Sequence, residues 1–259
     1  MAPELFYYSL GASVTAFSTT RQGGVSEGNY GSFNINAYCG DTVFAIQQNR
    51  KLLAETLHIS DDHIIMPHQV HHAVNHIIDL TFLALSADKQ TAALEGIDSL
   101  TTDIPGICIG ISTADCVPVL LYDPVHHASA AIHAGWRGTV QRIVEHTVQT
   151  MQTTYHTDPH DLHAVIGPCI SLDAFEVGQE VYDAFAAEGF EMKKIARHYK
   201  KWHIDLPVCN WLQLEHTGVL AKNIILSGIC TYNSSDRFFS ARKLGQQSGR
   251  IYTGIILKK

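Results

Sequence analysis

Ile107-Cys-Ile-Gly-Ile-Ser112, Val117-Pro-Val-Leu-Leu-Tyr122 and Ser129-Ala-Ala-Ile-His133 follow one another as three apolar runs with short breaks. Runs of this length bounded by turn-forming residues read as strands. Thr113-Ala-Asp-Cys116 separates the first two, and Asp123-Pro124 supplies a turn between the last two. Short connections favour antiparallel or mixed pairing over regular βαβ units. If the last two strands form a hairpin about Asp123-Pro124, Cys116 and His133 arrive at the same end of a sheet.

Outward from this centre, Leu5–Leu10, Val14–Ser18, Ile64–Met66, Val74–Leu80, Ala164–Ile166 and Ile251–Leu257 also read as strands. Asp41 can cap a helix over Thr42–Leu57, where Val43, Ile46, Leu53 and Leu57 recur at helical spacing and Arg50 must lay its stem along the apolar face. Further helices are expected over Gly138–Tyr155, Val177–Glu188 and Pro207–Leu220. The expectation is an α+β fold, a single domain over 1–259, with mixed or antiparallel central sheets flanked by helices. Neither an internal repeat nor a low-complexity linker interrupts it.

Composition narrows the function classes. The chain has 259 residues, of which 46% are hydrophobic and 17% charged, enough for a substantial core. Its net charge is −7, from 18 basic and 25 acidic residues. Counterion release on nucleic acid needs clustered Lys and Arg, so nucleic-acid binding is not expected. No run approaches the roughly 18 apolar residues of a membrane span, and the first residues do not read as a secretory signal. The expected location is the cytoplasm, with the six cysteines reduced and mostly buried as small hydrophobes.

The 16 histidines are an excess, but abundance says nothing about metal. Position does. His68-Gln-Val-His71, Thr113-Ala-Asp115-Cys116-Val-Pro118 and His133-Ala-Gly-Trp-Arg137-Gly138 each set a metal-capable or acid–base residue at a strand end beside turn-forming residues. One thiolate and two imidazoles make a catalytic zinc set with an open fourth position. The same residues admit a metal-free reading, with Cys116 as nucleophile, His133 as its base and Asp115 or a nearby amide orienting it. Arg21, Arg137 and Arg242 sit in loops suited to holding phosphate or carboxylate.

These segments belong to an ordered series. It includes T-T-R-Q-G-G-V-S-E-G at 19–28, S-F-N-I-N at 32–36, C-G-D at 39–41 and Q-V-H at 69–71. It continues with D-S-L-T-T at 98–102, T-A-D-C-V-P at 113–118, H-A-G-W-R-G at 133–138, I-G-P at 166–168 and F-E-V-G at 175–178. F-S-A-R at 239–242 and G-R-I-Y-T-G at 249–254 complete it. The chain thereby resembles the YfiH-like, laccase-domain family over nearly its whole length.

The resemblance implies zinc ligands at His71, Cys116 and His133. Here His72 stands where the family has glycine, and His72 and His68 are rival imidazoles. The resemblance also implies phosphate-dependent cleavage of adenosine, inosine, guanosine and methylthioadenosine, together with adenosine deamination. Its partners are then a nucleoside and phosphate, bound by a monomer or small homo-oligomer. For that chemistry Asp115 or a nearby histidine is expected to handle protons and Arg137 first, Arg242 second, to clamp phosphate, with Arg21 and Asn34 completing the candidate binding set. The laccase label implies copper and phenol oxidation, which the lack of any H-x-H pair disfavours. A Cys–His amidase acting on peptidoglycan precursors is the metal-free alternative.

Overall fold

The computed structural model describes residues 2–259. Two large sheets carry the fold. One orders five strands as Leu5–Tyr8, Val14–Thr19, Ile251–Leu257, Cys108–Thr113 and Ile64–Ile65. The other orders six as Ile224–Leu226, His163–Ile166, Val117–Asp123, Ala128–Ala134, Ser99–Thr102 and Asn75–Ile77. Both are mixed, most pairs antiparallel and three parallel, which agrees with the α+β expectation. A small three-stranded sheet of Glu176–Val177, Trp202–Ile204 and Ala196–His198 lies apart.

The central strands Cys108–Thr113, Val117–Asp123, Ala128–Ala134 and Ile251–Leu257 are buried along their whole length because the two sheets pack face to face and each outer face is covered too. Along Val117–Asp123 the side chains alternate: Val117, Val119 and Leu121 join one core, Leu120 and Tyr122 another. The second core is the inter-sheet layer, where Leu100, Leu120, Ala131 and Val165 meet Ile109, Ile111, Ile255 and Leu257. The first packs against Val144, Val148 and Met151 of helix Ile143–Tyr155 and Cys209 and Leu214 of helix Leu206–Thr217. On the far side Phe17, Cys108 and Tyr252 meet Leu53 and Ala54 of helix Val43–Leu57.

The hairpin forms as expected, with Val117 opposite Ala134, Pro118 opposite His133 and Asp123 opposite Ala128. The strand before it does not pair with either arm. Cys108–Thr113 lies between Ile251–Leu257 and Ile64–Ile65 in the other sheet. Ala114-Asp115-Cys116 is therefore a crossing from one sheet to the other, which strand spacing alone cannot reveal.

Other boundaries differ for local reasons. Thr42, not Asp41, caps the first long helix, accepting from the Ala45 N–H at 3.2 Å. Asp41 is used instead by Ser26 and Asn34, whose side chains donate to it. The helix expected from Gly138 divides into Trp136–Val140 and Ile143–Tyr155, because Arg142 takes a left-handed conformation at φ 60°. Both pieces contribute to the same core, Trp136 and Val140 from the first and Val144, Val148 and Met151 from the second, so the apolar pattern does not report the break. The helix expected from Val177 starts at Gln179, since Glu176 and Val177 pair with His203 and Trp202. All six cysteines are free; Cys108, Cys169 and Cys209 are buried as expected, and Cys39, Cys116 and Cys230 partly so. No helix among the described residues is long and apolar enough to cross a membrane.

Candidate metal centre and cavity

Among the described residues, one group of at least three metal-capable side chains has its donor atoms within 4.8 Å of one another: His71, Cys116 and His133. Each arrives differently. His133 is the penultimate residue of Ala128–Ala134; Ile132 and Ala134 pack toward the helices, so alternation turns His133 toward the inter-sheet side. Cys116 ends the crossing between sheets, one residue before Val117. His71 sits in a bend at φ 65°, an uncommon conformation for a residue with a Cβ. Its ring meets that of His133 edge-on, with centroids 4.8 Å apart.

Asp98 holds the bend. It precedes the strand Ser99–Thr102 beside His133 and is fully buried. Its Oδ1 accepts His133 Nδ1–H at 2.7 Å and the His71 backbone N–H at 3.0 Å, while Oδ2 accepts the His72 N–H at 2.8 Å. Burial pushes this carboxyl up, but the bonds to His133 and to the two backbone N–H groups outweigh it and hold it below the usual carboxylate range. With Nδ1 engaged, Nε2 of His133 is the free donor. Such a carboxylate behind a ligating imidazole is the usual outer support of a metal site.

The residues fit a metal on two further observations. Burial raises the Cys116 thiol, yet the His133 and His71 rings beside it bring it down to about 6, so the sulfur is available as thiolate. Conversely burial lowers His133, but the Cys116 charge and the Asp98 bond raise it to about 9. Gly135 also leaves the space open: a Cβ there would stand 2.9 Å from His71 Cδ2 and 3.2 Å from Cys116 Sγ.

The cluster lines a cavity of about 600 Å³. Its lining includes two arginines, Arg242 and Arg250, the second not anticipated from sequence although it stands in the G-R-I-Y-T-G segment. Register explains it: Ile251 pairs with Thr113, which places Arg250 just beyond the ladder, alongside the crossing. Arg242 donates to the Glu176 carbonyl at 3.0 and 3.1 Å, and Arg250 to the carbonyls of Ser248, Gly249 and Gln246. Thr113 also lines the cavity, and its buried hydroxyl has no hydrogen-bond partner among the described residues.

Other expected site residues go elsewhere. Asp115 lines the cavity, but Thr231 Oγ1 donates to its Oδ1 at 2.6 Å and the Arg242 N–H to its Oδ2 at 2.7 Å. It ties the Arg242 segment to the crossing and does not orient His133; Asp98 does that. Arg137 is exposed, lies over Trp136 and is not part of the cavity wall. Arg21 donates to the carbonyls of Gly31 and Ser235, and Asn34 is fully buried with its amide on Asp41 and Cys39; neither lines the cavity. His72 lines a separate surface groove. His68 lines the cavity but does not join the three-donor group. Asp98 was missed because a buried carboxylate shows no period or motif of its own; its only signal was the D-S-L-T-T segment.

A family described as multi-copper polyphenol oxidoreductase laccase matches residues 15–258. A purine nucleoside phosphorylase of Bacteroides thetaiotaomicron is 46% identical over 260 residues, covering 98% of this chain and 96% of that protein. Adenosine deaminase RL5, from an unknown prokaryotic organism, is 42% identical over 248 residues, covering 95% and 94%. The crystal structure of the Bacillus licheniformis hypothetical protein YfiH superposes with a TM-score of 0.91 at 30% identity, over 99% of this chain and 97% of that one.

Proposed function

Since the chain belongs to this laccase-domain, YfiH-like family, we propose that it is a zinc-dependent purine nucleoside phosphorylase that also deaminates adenosine. The observation that carries the reading is the mutual approach of His71, Cys116 and His133 at a cavity whose walls hold two arginines. The names of the relatives supply the substrate class: one is a nucleoside phosphorylase, the other an adenosine deaminase.

Zinc would be held by His71, Cys116 and His133 and would supply a Lewis acid there. The chain's own residues do the rest. Asp98 keeps the His133 ring in one tautomer and orientation. Arg242 and Arg250 hold phosphate against the ribose, where their fixed positive charge steadies the attacking oxyanion. Asp115 positions Arg242 through the backbone N–H it accepts.

A phenol oxidase built on several coppers needs several donor clusters, and the described residues offer one. The metal-free alternative rests on the Cys116 thiolate and His133, which form a nucleophile–base pair like that of cysteine hydrolases.

Incubation with adenosine, with and without phosphate, followed by chromatography and metal analysis, tests the proposal. Adenine appearing only with phosphate and inosine without it, together with one zinc per chain lost on Cys116→Ala, is the expected result. Active protein free of zinc overturns the metal half; no product at high enzyme concentration overturns the substrate half.

A further inference from the structure

Three independent contacts fix the His68 imidazole in the cavity wall. Its Nδ1 lies 2.7 and 2.8 Å from the two carboxylate oxygens of Glu95. The ring stacks on Tyr38, centroids 4.0 Å apart and planes inclined by 17°. Its backbone is clamped on both sides: the His68 N–H donates to the Leu94 carbonyl and the Gly96 N–H to the His68 carbonyl, each at 3.0 Å. Nothing in the core requires this arrangement, since Glu95 is exposed and His68 only half-buried. With Nδ1 given to Glu95, Nε2 is the ring nitrogen left to the cavity that His68 and Tyr38 share with His71, Arg242 and Arg250.

The metal cluster and the arginines leave one chemical need unmet. A purine anion is a poor leaving group, and a guanidinium bound to phosphate does not deliver a proton to it. We propose that His68, oriented by Glu95 and Tyr38, is the general acid that protonates the departing purine. This rests on the phosphorylase reading above. A phosphate oxygen forms its bond to ribose C1′ as the C1′–N9 bond breaks, and that electron pair enters the purine ring. The His68 Nε2 proton passes to the purine N7. The hydrogen phosphate has become a phosphate monoester, and the proton it sheds restores the imidazolium, so no co-reactant is consumed. Glu95 balances the ring charge while both nitrogens carry protons and fixes which edge faces the cavity.

The test compares His68→Gln and Glu95→Gln with the parent protein on inosine and on 7-methylguanosine, each with inorganic phosphate. The base of 7-methylguanosine already carries positive charge and departs neutral without a proton. On inosine, His68→Gln is expected to lose about 10²- to 10⁴-fold in kcat, the usual contribution of a positioned acid. On 7-methylguanosine it stays within about threefold of the parent, because there is no proton transfer left to lose. Glu95→Gln falls between parent and His68→Gln on inosine, with KM for phosphate unchanged. Metal content stays at the parent value in both variants.

An unaltered rate on inosine overturns the proposal, as does an equal loss on both nucleosides, which marks a structural role. Loss of metal from His68→Gln makes the residue a ligand instead and overturns it too. A parent protein that cleaves neither nucleoside defeats the phosphorylase reading itself, and the proposal with it.

Discussion

Asp98 accepts the Nδ1–H of His133 across 2.7 Å, with 0% of the carboxylate and 3% of the imidazole side chain exposed. The same carboxylate takes the backbone N–H of His71, so one buried residue orients two of the three metal-capable donors.

Asp98→Asn keeps the volume and removes the charge. Its amide cannot serve both His133 and the two backbone N–H groups with acceptors alone. Metal affinity is expected to fall about 10- to 100-fold, the usual effect of losing the partner behind a ligating histidine. Competition with a chromogenic zinc chelator measures it, and an unchanged affinity speaks against this role for Asp98.

Gly135→Ala tests the shape of the centre. Its φ of −66° suits any residue, so the backbone does not oppose the change. The added methyl collides with His71 Cδ2 at 2.9 Å and crowds Cys116 Sγ. The variant should fold with a Tm close to the parent when both are metal-free, yet bind metal more weakly. A marked drop in the metal-free Tm shows instead that Gly135 serves packing.

Metal-free protein should expose the electrostatics of Cys116. An ordinary thiol titrates near 9.0, and this one is brought down to about 6 by the rings beside it. The thiolate therefore survives as pH falls from 9 toward 6 and is lost only below about 6. Alkylation of Cys116 by iodoacetamide, followed by mass spectrometry, should be nearly flat over that window and decline below it. His133→Gln should move the decline upward, and added zinc should protect the sulfur. A rate that climbs only above pH 8 contradicts this.

The arginines divide by position. Arg250→Gln and Arg242→Gln should each raise the KM for phosphate about tenfold or more, comparable to losing a charge-assisted hydrogen bond worth about 1.5–3 kcal/mol. Deamination of adenosine, which needs no phosphate, should change little. Arg137→Gln, outside the cavity wall, should leave the phosphate KM alone. If Arg137 and not Arg250 controls phosphate, the cavity is not the phosphorolytic site.

The strands Val117–Asp123, Ala128–Ala134 and Ile251–Leu257 were legible in the chain because their apolar runs match strands buried on both faces. The proximity of Cys116 to His133 was legible too, since a hairpin about Asp123-Pro124 is a local event that brings its ends together. The family motifs added His71 to that pair. What the chain alone could not decide is everything set by which sheet a strand joins. Cys108–Thr113 reads like its neighbours, yet it pairs with Ile251–Leu257, more than 130 residues further along the chain. That long-range pairing makes Ala114–Cys116 a crossing and brings Arg250 to the cavity. Asp98 and the His68–Glu95 pair depend likewise on contacts between distant segments. Local periodicity reports whether a residue is buried; only the folded chain reports against what.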